Sequence, residues 1–489
     1  MRKILLTVSC VVALGTLIAC GGYSNRTPIP TPPSTGNNAG FSTASLNGTY
    51  VFAANGTTPN NFFAVAGQFT ADGNGRITAG TRDTVNDGGG QTLNEPFTGT
   101  YTVNQDGRGQ ALFNGSFGQV IYRFVLRGNG EATLFQISNS NDATGRILPL
   151  PNPMPATTKA QVTYVVRLDG EDRGNNTYGA VGALTFNASG NTVTGTIDEN
   201  DNGTFSPQRA ATGSYSFGSS RGTATFTANG INHNFIVYPI AQNRIELVST
   251  DKNFFLHGYG HAQAAPATSI ATFKGDQVFN IHGFDSAGSI LETGRLTLDG
   301  AGNITSAIED FNEAGTYFDS VAFAGTYSVA GNGRWAATFT YTTSTLSMVG
   351  WQVSPQMSLV LVTGSNIANF GIVETGTMRA QTIGLTTANI SGNYAENLSG
   401  TLEGGGSVES SGNFDGDGAG SLIGTIDSQT PNSINTDIVE SGNYAVAANG
   451  RSSGTIGAVP VHIYTVDANT IYLISTDPAR LYQGMMVKQ

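Results

Sequence analysis

The sequence predicts an all-β protein of four tandem units, each a meander of about eight antiparallel strands closed as an up-and-down β-barrel. Three observations carry this. Gly is very frequent (65 of 489 residues) and charged residues make up only 12%, a composition that suits short strands joined by many turns. Short alternating runs separated by Gly, Asn and Asp fill the chain, with no helix-period pattern of useful length. The runs also repeat: Gly99-Thr100-Tyr101 returns as Gly213-Ser214-Tyr215, Gly325-Thr326-Tyr327 and Gly442-Asn443-Tyr444, with the tyrosines 114, 112 and 117 residues apart.

The other registers agree. An arginine follows each tyrosine (Arg108, Arg221, Arg334, Arg451), and an aspartate precedes it by 17 or 18 residues (Asp83, Asp198, Asp310, Asp427). Unit starts correspond at Tyr50, Tyr164, Phe279 and Tyr394, and Ile245 to Asp251 matches Ile471 to Asp477. Agreement over some 400 residues indicates four copies, expected at 44–150, 160–264, 270–378 and 389–489. The joints are proline-rich (Leu148 to Lys159), Ala/Thr-rich (Ala262 to Thr272) and polar (Met378 to Asn389).

Within the first copy, alternation and turn signals place strands near 48–54, 62–71, 76–83, 96–103, 109–115, 119–126, 132–138 and 144–148. Asp72-Gly73-Asn74-Gly75 and Asp106-Gly107 suggest tight hairpins needing positive φ at both central positions. Asn332-Gly333 and Asn449-Gly450 repeat the second hairpin, whereas the second copy has Ser219-Ser220 there. Eight consecutive strands can close and remove their edges; a two-sheet sandwich is the alternative. Phe97, Gly99, Tyr101 and Val103 share one face, and that small–large order predicts a packed interior in which a ring fills the space beside the glycine.

The start of the chain is a separate element. Arg2 and Lys3 precede an apolar run, Ile4 to Ala19, of 16 residues. A spanning helix needs roughly 20, so 1–19 reads as a secretory signal peptide. The ending Leu17-Ile18-Ala19-Cys20 resembles the lipobox of bacterial lipoproteins. That resemblance implies lipidation (fatty acylation, palmitate included) of Cys20, removal of the preceding peptide and a membrane anchor. Gly21 in place of Asp implies the outer membrane by the same resemblance. Residues 20–43, with Pro28, Pro30, Pro32 and Pro33, read as a tether extending roughly 3.1 Å per residue. The Gly-x-Tyr openings and Asp-Gly-x-Gly hairpins resemble uncharacterised tandem-repeat lipoproteins of soil acidobacteria, and the strand count is similar in outline to calycins. Neither likeness carries an activity.

The formal charge is −11, and removing the two charges Arg2 and Lys3 leaves −13. With no basic cluster in the sequence, nucleic acid is not an expected partner. The two cysteines are Cys10 and Cys20, so no disulfide can form within the repeats and thiol chemistry there is excluded. Asp83, Arg108, Asp198, Arg221, Asp310, Arg334, Asp427 and Arg451 are candidates for structural pairs, because a polar pair kept in all four copies suits architecture better than catalysis; a ligand clamp of Asp83 with Arg108 is the functional alternative. Asp198, Asn200 and Asn202 match the first half of a calcium loop, but position twelve is Arg209 and no helices flank it. His257 and His261 share a strand face roughly 13 Å apart, too far for one metal, and no nucleophile motif accompanies them. Trp351 is expected half-buried, with a carbohydrate surface as its alternative.

These readings lead to a lipid-anchored, non-enzymatic envelope protein acting in adhesion, structure or extracellular binding, with no cofactor. A calycin-like carrier of small apolar molecules is the alternative, and an envelope hydrolase the third reading.

Overall fold

The computed structural model describes residues 40–57, 62–86, 90–137, 142–151, 161–218, 220–241, 243–366, 371–402 and 406–489. Residues 1–39, which include the expected signal peptide, Cys20 and most of the expected tether, lie outside the described residues.

Barrel 1 contains β1 (Asn47–Thr57), β2 (Phe62–Asp72), β3 (Arg76–Asn86), β4 (Gly90–Val103), β5 (Arg108–Gly115), β6 (Gly118–Leu126), β7 (Ala132–Ile137) and β8 (Asp142–Leu150). Barrel 2 contains β9 (Gln161–Asp172), β10 (Thr177–Asn187), β11 (Thr192–Asp201), β12 (Thr204–Phe217), β13 (Gly222–Ala228), β14 (Ile231–Ala241), β15 (Arg244–Ser249) and β16 (Phe254–Ala262). Barrel 3 contains β17 (Gly275–Phe284), β18 (Ser289–Leu298), β19 (Asn303–Glu313), β20 (Thr316–Val329), β21 (Arg334–Thr340), β22 (Thr345–Ser354), β23 (Met357–Ser365) and β24 (Val373–Ala380). Barrel 4 contains β25 (Ser391–Leu402), β26 (Ser407–Asp417), β27 (Ser421–Thr430), β28 (Ser433–Asn443), β29 (Arg451–Ile456), β30 (Val459–Asp467), β31 (Thr470–Ser475) and β32 (Arg480–Lys488). In each unit neighbouring strands pair antiparallel and the last closes on the first, as in Thr49↔Leu150 through Thr57↔Asp142. Each is a closed barrel, not a sandwich.

All eight strands expected in the first copy are present. The third and fourth are longer than alternation suggests, because their outer ends are polar and interrupted by a register slip at Arg82/Thr84. The hairpin expectation is corrected. Asp72 Oδ1 accepts the N–H groups of Asn74 (2.7 Å) and Arg76 (3.0 Å), and the left-handed residues are Gly73 (φ 76°) and Gly75 (φ 94°). The aspartate side chain organises a longer loop, and at Asp106-Gly107 only the glycine is left-handed (φ 87°).

Aromatic rings fill the first barrel. Phe113 packs on Phe97 (4.4 Å between centroids), Phe52 (5.1 Å) and Tyr122 (5.0 Å). Room comes from glycines paired across strands with rings: Gly67 opposite Phe52, Gly350 opposite Trp335. A Cβ on Gly350 would lie 2.3 Å from the Trp335 ring. The glycine of the Gly-x-Tyr motif acts differently from the expectation. A Cβ on Gly99, Gly213, Gly325 or Gly442 would meet the backbone carbonyl of Leu112, Thr225, Thr338 or Thr455 on the next strand. It permits a close backbone approach, not a ring. The tyrosines close one barrel end: Tyr101 donates to the Leu46 carbonyl (2.6 Å), Tyr327 to Phe273 (2.8 Å), and Tyr444 to Ile390. Each acceptor directly follows a short 3-10 turn.

Barrels 2 to 4 also hold buried polar groups. Glu199 accepts from Tyr178 (2.9 Å) and lies 3.2 Å from His233 Nε2. Glu292, Glu309 and Glu374 are buried in barrel 3, and burial first, then nearby carboxylates, raises all three carboxyls: Glu313 and Asp285 act on Glu292, Glu292 on Glu309, and Glu292 and Glu309 on Glu374. In barrel 4, burial pushes Glu396 up to about 8 against the opposing hydrogen bond from Ser410.

Gly350→Ala is expected to cost about 1–3 kcal/mol through overpacking, read from urea unfolding. A carboxyl raised in the fold makes the folded chain bind more protons than the unfolded chain. The contribution of Glu396 is therefore fully present below its ordinary value of 4.5 and is lost as pH rises to about 8. Thermal midpoints should fall across this window, and Glu396→Gln should reduce the fall.

Candidate functional site at the joints between barrels

The repeated aspartates sit on β-bulges. Register slips at Arg82/Thr84, Ile197/Glu199, Glu309/Phe311 and Ile426/Ser428 leave Asp83, Asp198, Asp310 and Asp427 without a partner on the following strand. On the following strand a left-handed residue answers each one: Asn94 (φ 54°), Gln208 (48°), Ser320 (56°) and Asp437 (57°). Its N–H donates to the aspartate Oδ1 at 2.7, 2.9, 2.8 and 2.8 Å. A bulge re-aims a side chain, and here the carboxylate meets the neighbouring barrel.

The arginine it meets belongs to the next repeat. Arg221 holds Asp83 through Nε and Nη2 (2.7 and 2.7 Å), Arg334 holds Asp198 (2.9 and 2.8 Å), and Arg451 holds Asp310 (2.8 and 2.7 Å). The sequence-derived clamp of Asp83 with Arg108 is thus replaced by forks between consecutive barrels. The strand paired with each arginine adds a third donor: Tyr238 to Asp83, Trp351 Nε1 to Asp198 (2.8 Å), and Tyr464 to Asp310 (2.6 Å). These three carboxylates have no exposed surface, and each is satisfied by charge-assisted bonds.

The fourth arginine closes the circle. Arg108 of barrel 1 reaches barrel 4, with Nη1 2.8 Å from Asp437 and 3.6 Å from Asp427, while its Nε bonds Asp106 (2.8 Å). Barrel 4 therefore abuts barrel 1 and the four form a ring. This joint is built differently. Val125 pairs with Arg108 where Trp351 pairs with Arg334 and Tyr464 with Arg451. Burial raises the Asp427 carboxyl above its ordinary value despite Arg123 and Arg108. At Asp310 burial is outweighed by His462 and Arg451, which hold the carboxyl low.

A second contact escaped sequence reasoning. Gln263 Nε2 donates to the carbonyls of Asn332 (3.1 Å) and Gln352 (2.9 Å), Gln381 to Asn449 (3.3 Å) and Thr465 (2.8 Å), and Gln489 to Asp106 (3.1 Å) and Leu126 (2.7 Å). Each glutamine directly follows the last strand of its repeat, and each target includes the Asn-Gly or Asp-Gly hairpin before the joint arginine. The hairpin glycine makes room: a Cβ would come 2.7 Å from the Gln489 amide at Gly107 and 2.9 Å from Gln263 at Gly333. At the first joint both halves are missing together. Pro151 takes the glutamine position and Ser220 the glycine position, which accounts for the departure of the second copy. The detectable signal was this shared exception, since an isolated glutamine carries none.

The other candidates are accounted for. Asp198 is engaged as above, and Asn200 donates to the carbonyls of Val362 (2.9 Å) and Ile372 (2.8 Å) of barrel 3. Asn202 (φ 48°) starts a hairpin turn and bonds Asn176 (3.3 Å). Asp198 and Asn200 thus lie on a strand facing barrel 3, and Asn202 lies in the turn that follows it. Trp351 is wholly buried between barrels. His257 Nε2 lies 3.6 Å from Glu246, and burial, then Arg244 and Arg146, push His261 down to about 3. Asp310, Asp319 and His462 lie close enough to share a metal ion. Arg451 stands among them, donating to Asp319 (2.7 Å) as well as Asp310, so the guanidinium is the cation at this place.

No protein-family model matches the chain, and no curated protein matches it in sequence. Solved structures that align with it include a vaccine-antigen transferrin binding protein B from Haemophilus parasuis (10% identical, TM-score 0.19, covering 75% of this chain and 83% of that one). Another is isotype 1 transferrin binding protein B from serogroup B Neisseria meningitidis (11%, TM-score 0.20, 75% and 84%). Intact Ap-TbpB with its N and C lobes aligns likewise (11%, TM-score 0.18, 73% and 84%). At such TM-scores the likeness carries no argument about this chain.

Arg334→Met would strand the buried Asp198 charge and is expected to cost about 3–5 kcal/mol. Arg108→Met is expected to cost less, because its close partner Asp437 keeps part of its side chain in water and Asp427 lies 3.6 Å away. Denaturant unfolding of the two variants side by side reads the difference.

Proposed function

We propose that this chain is a lipid-anchored cell-envelope protein with a non-enzymatic binding or structural role, its four barrels held as one rigid ring on a tether. The observation that carries the reading is the set of joints: every barrel commits a buried carboxylate or guanidinium to its neighbour. Asp83, Asp198, Asp310 and Asp427 with Arg108, Arg221, Arg334 and Arg451 act structurally. Such a ring offers an extended outer surface to an extracellular ligand or surface partner. The anchor is Cys20, and Gly21 directs the protein to the outer membrane.

Two observations weigh against the other readings. Packed aromatic interiors, with Phe113 against Phe52 and Phe97 in barrel 1 and Trp335 against Phe273 in barrel 3, oppose carriage of an apolar ligand. The His257–His261 region spends His257 beside Glu246 and keeps His261 neutral, which gives a hydrolase no activated nucleophile.

Cells expressing the chain should incorporate labelled palmitate into it, and the protein should fractionate with the outer membrane. Cys20→Ser should abolish both. Labelling that survives the substitution, or recovery of the unsubstituted protein from the soluble fraction, would overturn the anchor.

A further inference from the structure

Five arginines gather where the barrels meet: Arg127 and Arg146 of barrel 1, Arg167 and Arg244 of barrel 2, and Arg379 of barrel 3. Ion pairs through Glu131 and Glu246 join three of them, Arg127, Arg146 and Arg244. Arg146 makes a fork to Glu246 (2.8 and 2.8 Å), and Arg244 lies 3.5 Å from Glu246 and 3.6 Å from Glu131. Arg127 also pairs with Glu131, and Arg167 with Asp169 (3.0 Å). Arg146 and Arg167 lie over the same ring, Tyr259, at 4.2 and 5.2 Å. Arg379 has no carboxylate partner among the described residues; its hydrogen bond goes to the Tyr472 hydroxyl of barrel 4. That hydroxyl also bonds Thr377 (2.9 Å), two residues before Arg379 on β24.

Five guanidiniums against three carboxylates leave two positive charges in a chain whose formal charge is −11. Counting Asp467, the next acid to act on Arg379, one remains. Burial, then neighbouring arginines, holds His261 at about 3 and His282 at about 4, so neither of these two adds charge. Two buried donors, the Nε groups of Arg127 and Arg379, make no hydrogen bond, and Arg244 Nε has only its 3.5 Å contact with Glu246. An orphaned buried donor carries a desolvation cost, and guanidinium forks match oxyanions of fixed geometry. Arg127 also lines a cleft of about 490 Å³ at the joint of barrels 4 and 1, with Leu126, Asn393 and Gln489.

We propose that this meeting point of the barrels binds a small inorganic oxyanion of the phosphate or sulfate class, entering beside Arg127. The arginines are too enclosed for a polymer, and a small anion offsets the excess positive charge. The site exists only in the closed ring, because Arg127 and Arg379 come from barrels one and three.

The test uses the full chain in detergent, with inorganic phosphate or sulfate against chloride at equal ionic strength. Calorimetric titration should show saturable binding of one phosphate per chain, and the thermal midpoint should rise by several degrees at ligand well above Kd. Arg379→Gln should weaken phosphate binding at least tenfold. Both anions stabilise proteins generally by exclusion from the surface, an effect the variant would retain. No saturable binding, or an unchanged response in Arg379→Gln, would overturn the proposal. If that variant fails to fold, Arg127→Gln on the cleft wall is read in the same way.

Discussion

The buried aspartate on its bulge is the constraint from which the ring follows. A carboxylate without solvent is costly unless donors surround it. Its own barrel supplies one backbone N–H, and the neighbour supplies the guanidinium fork and the aromatic donor. A barrel standing alone would leave Asp83, Asp198 or Asp310 short of donors. Each unit therefore requires its successor, and the last unit's successor is the first.

The joints differ in a graded way. Those between barrels 2 and 3 and between 3 and 4 have the aspartate fork, the aromatic donor and the glutamine bridge. The first joint keeps the fork and Tyr238 but has Pro151 and Ser220 in place of the bridge. The closing joint keeps the bridge through Gln489 but has Val125 in place of the aromatic donor, and its arginine favours Asp437. Both departures fall on the flanks of barrel 1.

Inside the barrels the design is different. Rings packed against cross-strand glycines fill the first barrel. Glutamates inside barrels 3 and 4 stay neutral by burial instead of by pairing. The chemistry available to a partner lies outside the barrels, on the hairpins, the joints and the arginine-lined meeting point.

Much of this was legible in the sequence because it is local. Alternation and turn residues depend on near neighbours, so the strand count, the fourfold repeat and the placement of Asp83 and Arg108 with their counterparts could all be read from spacing. Tertiary structure decided who meets whom. In a tandem repeat the spacing from Asp83 to Arg108 and from Asp83 to Arg221 recurs equally in every copy, so spacing cannot separate a bond within a unit from one between units. The Gly-x-Tyr glycine likewise looks like room for a ring until the carbonyl of the next strand is seen beside it. Gln489 against Asp106 joins residues more than 380 positions apart, and no local pattern encodes that contact. Only the closed ring, in which each buried charge finds its donors on the next barrel, selects it.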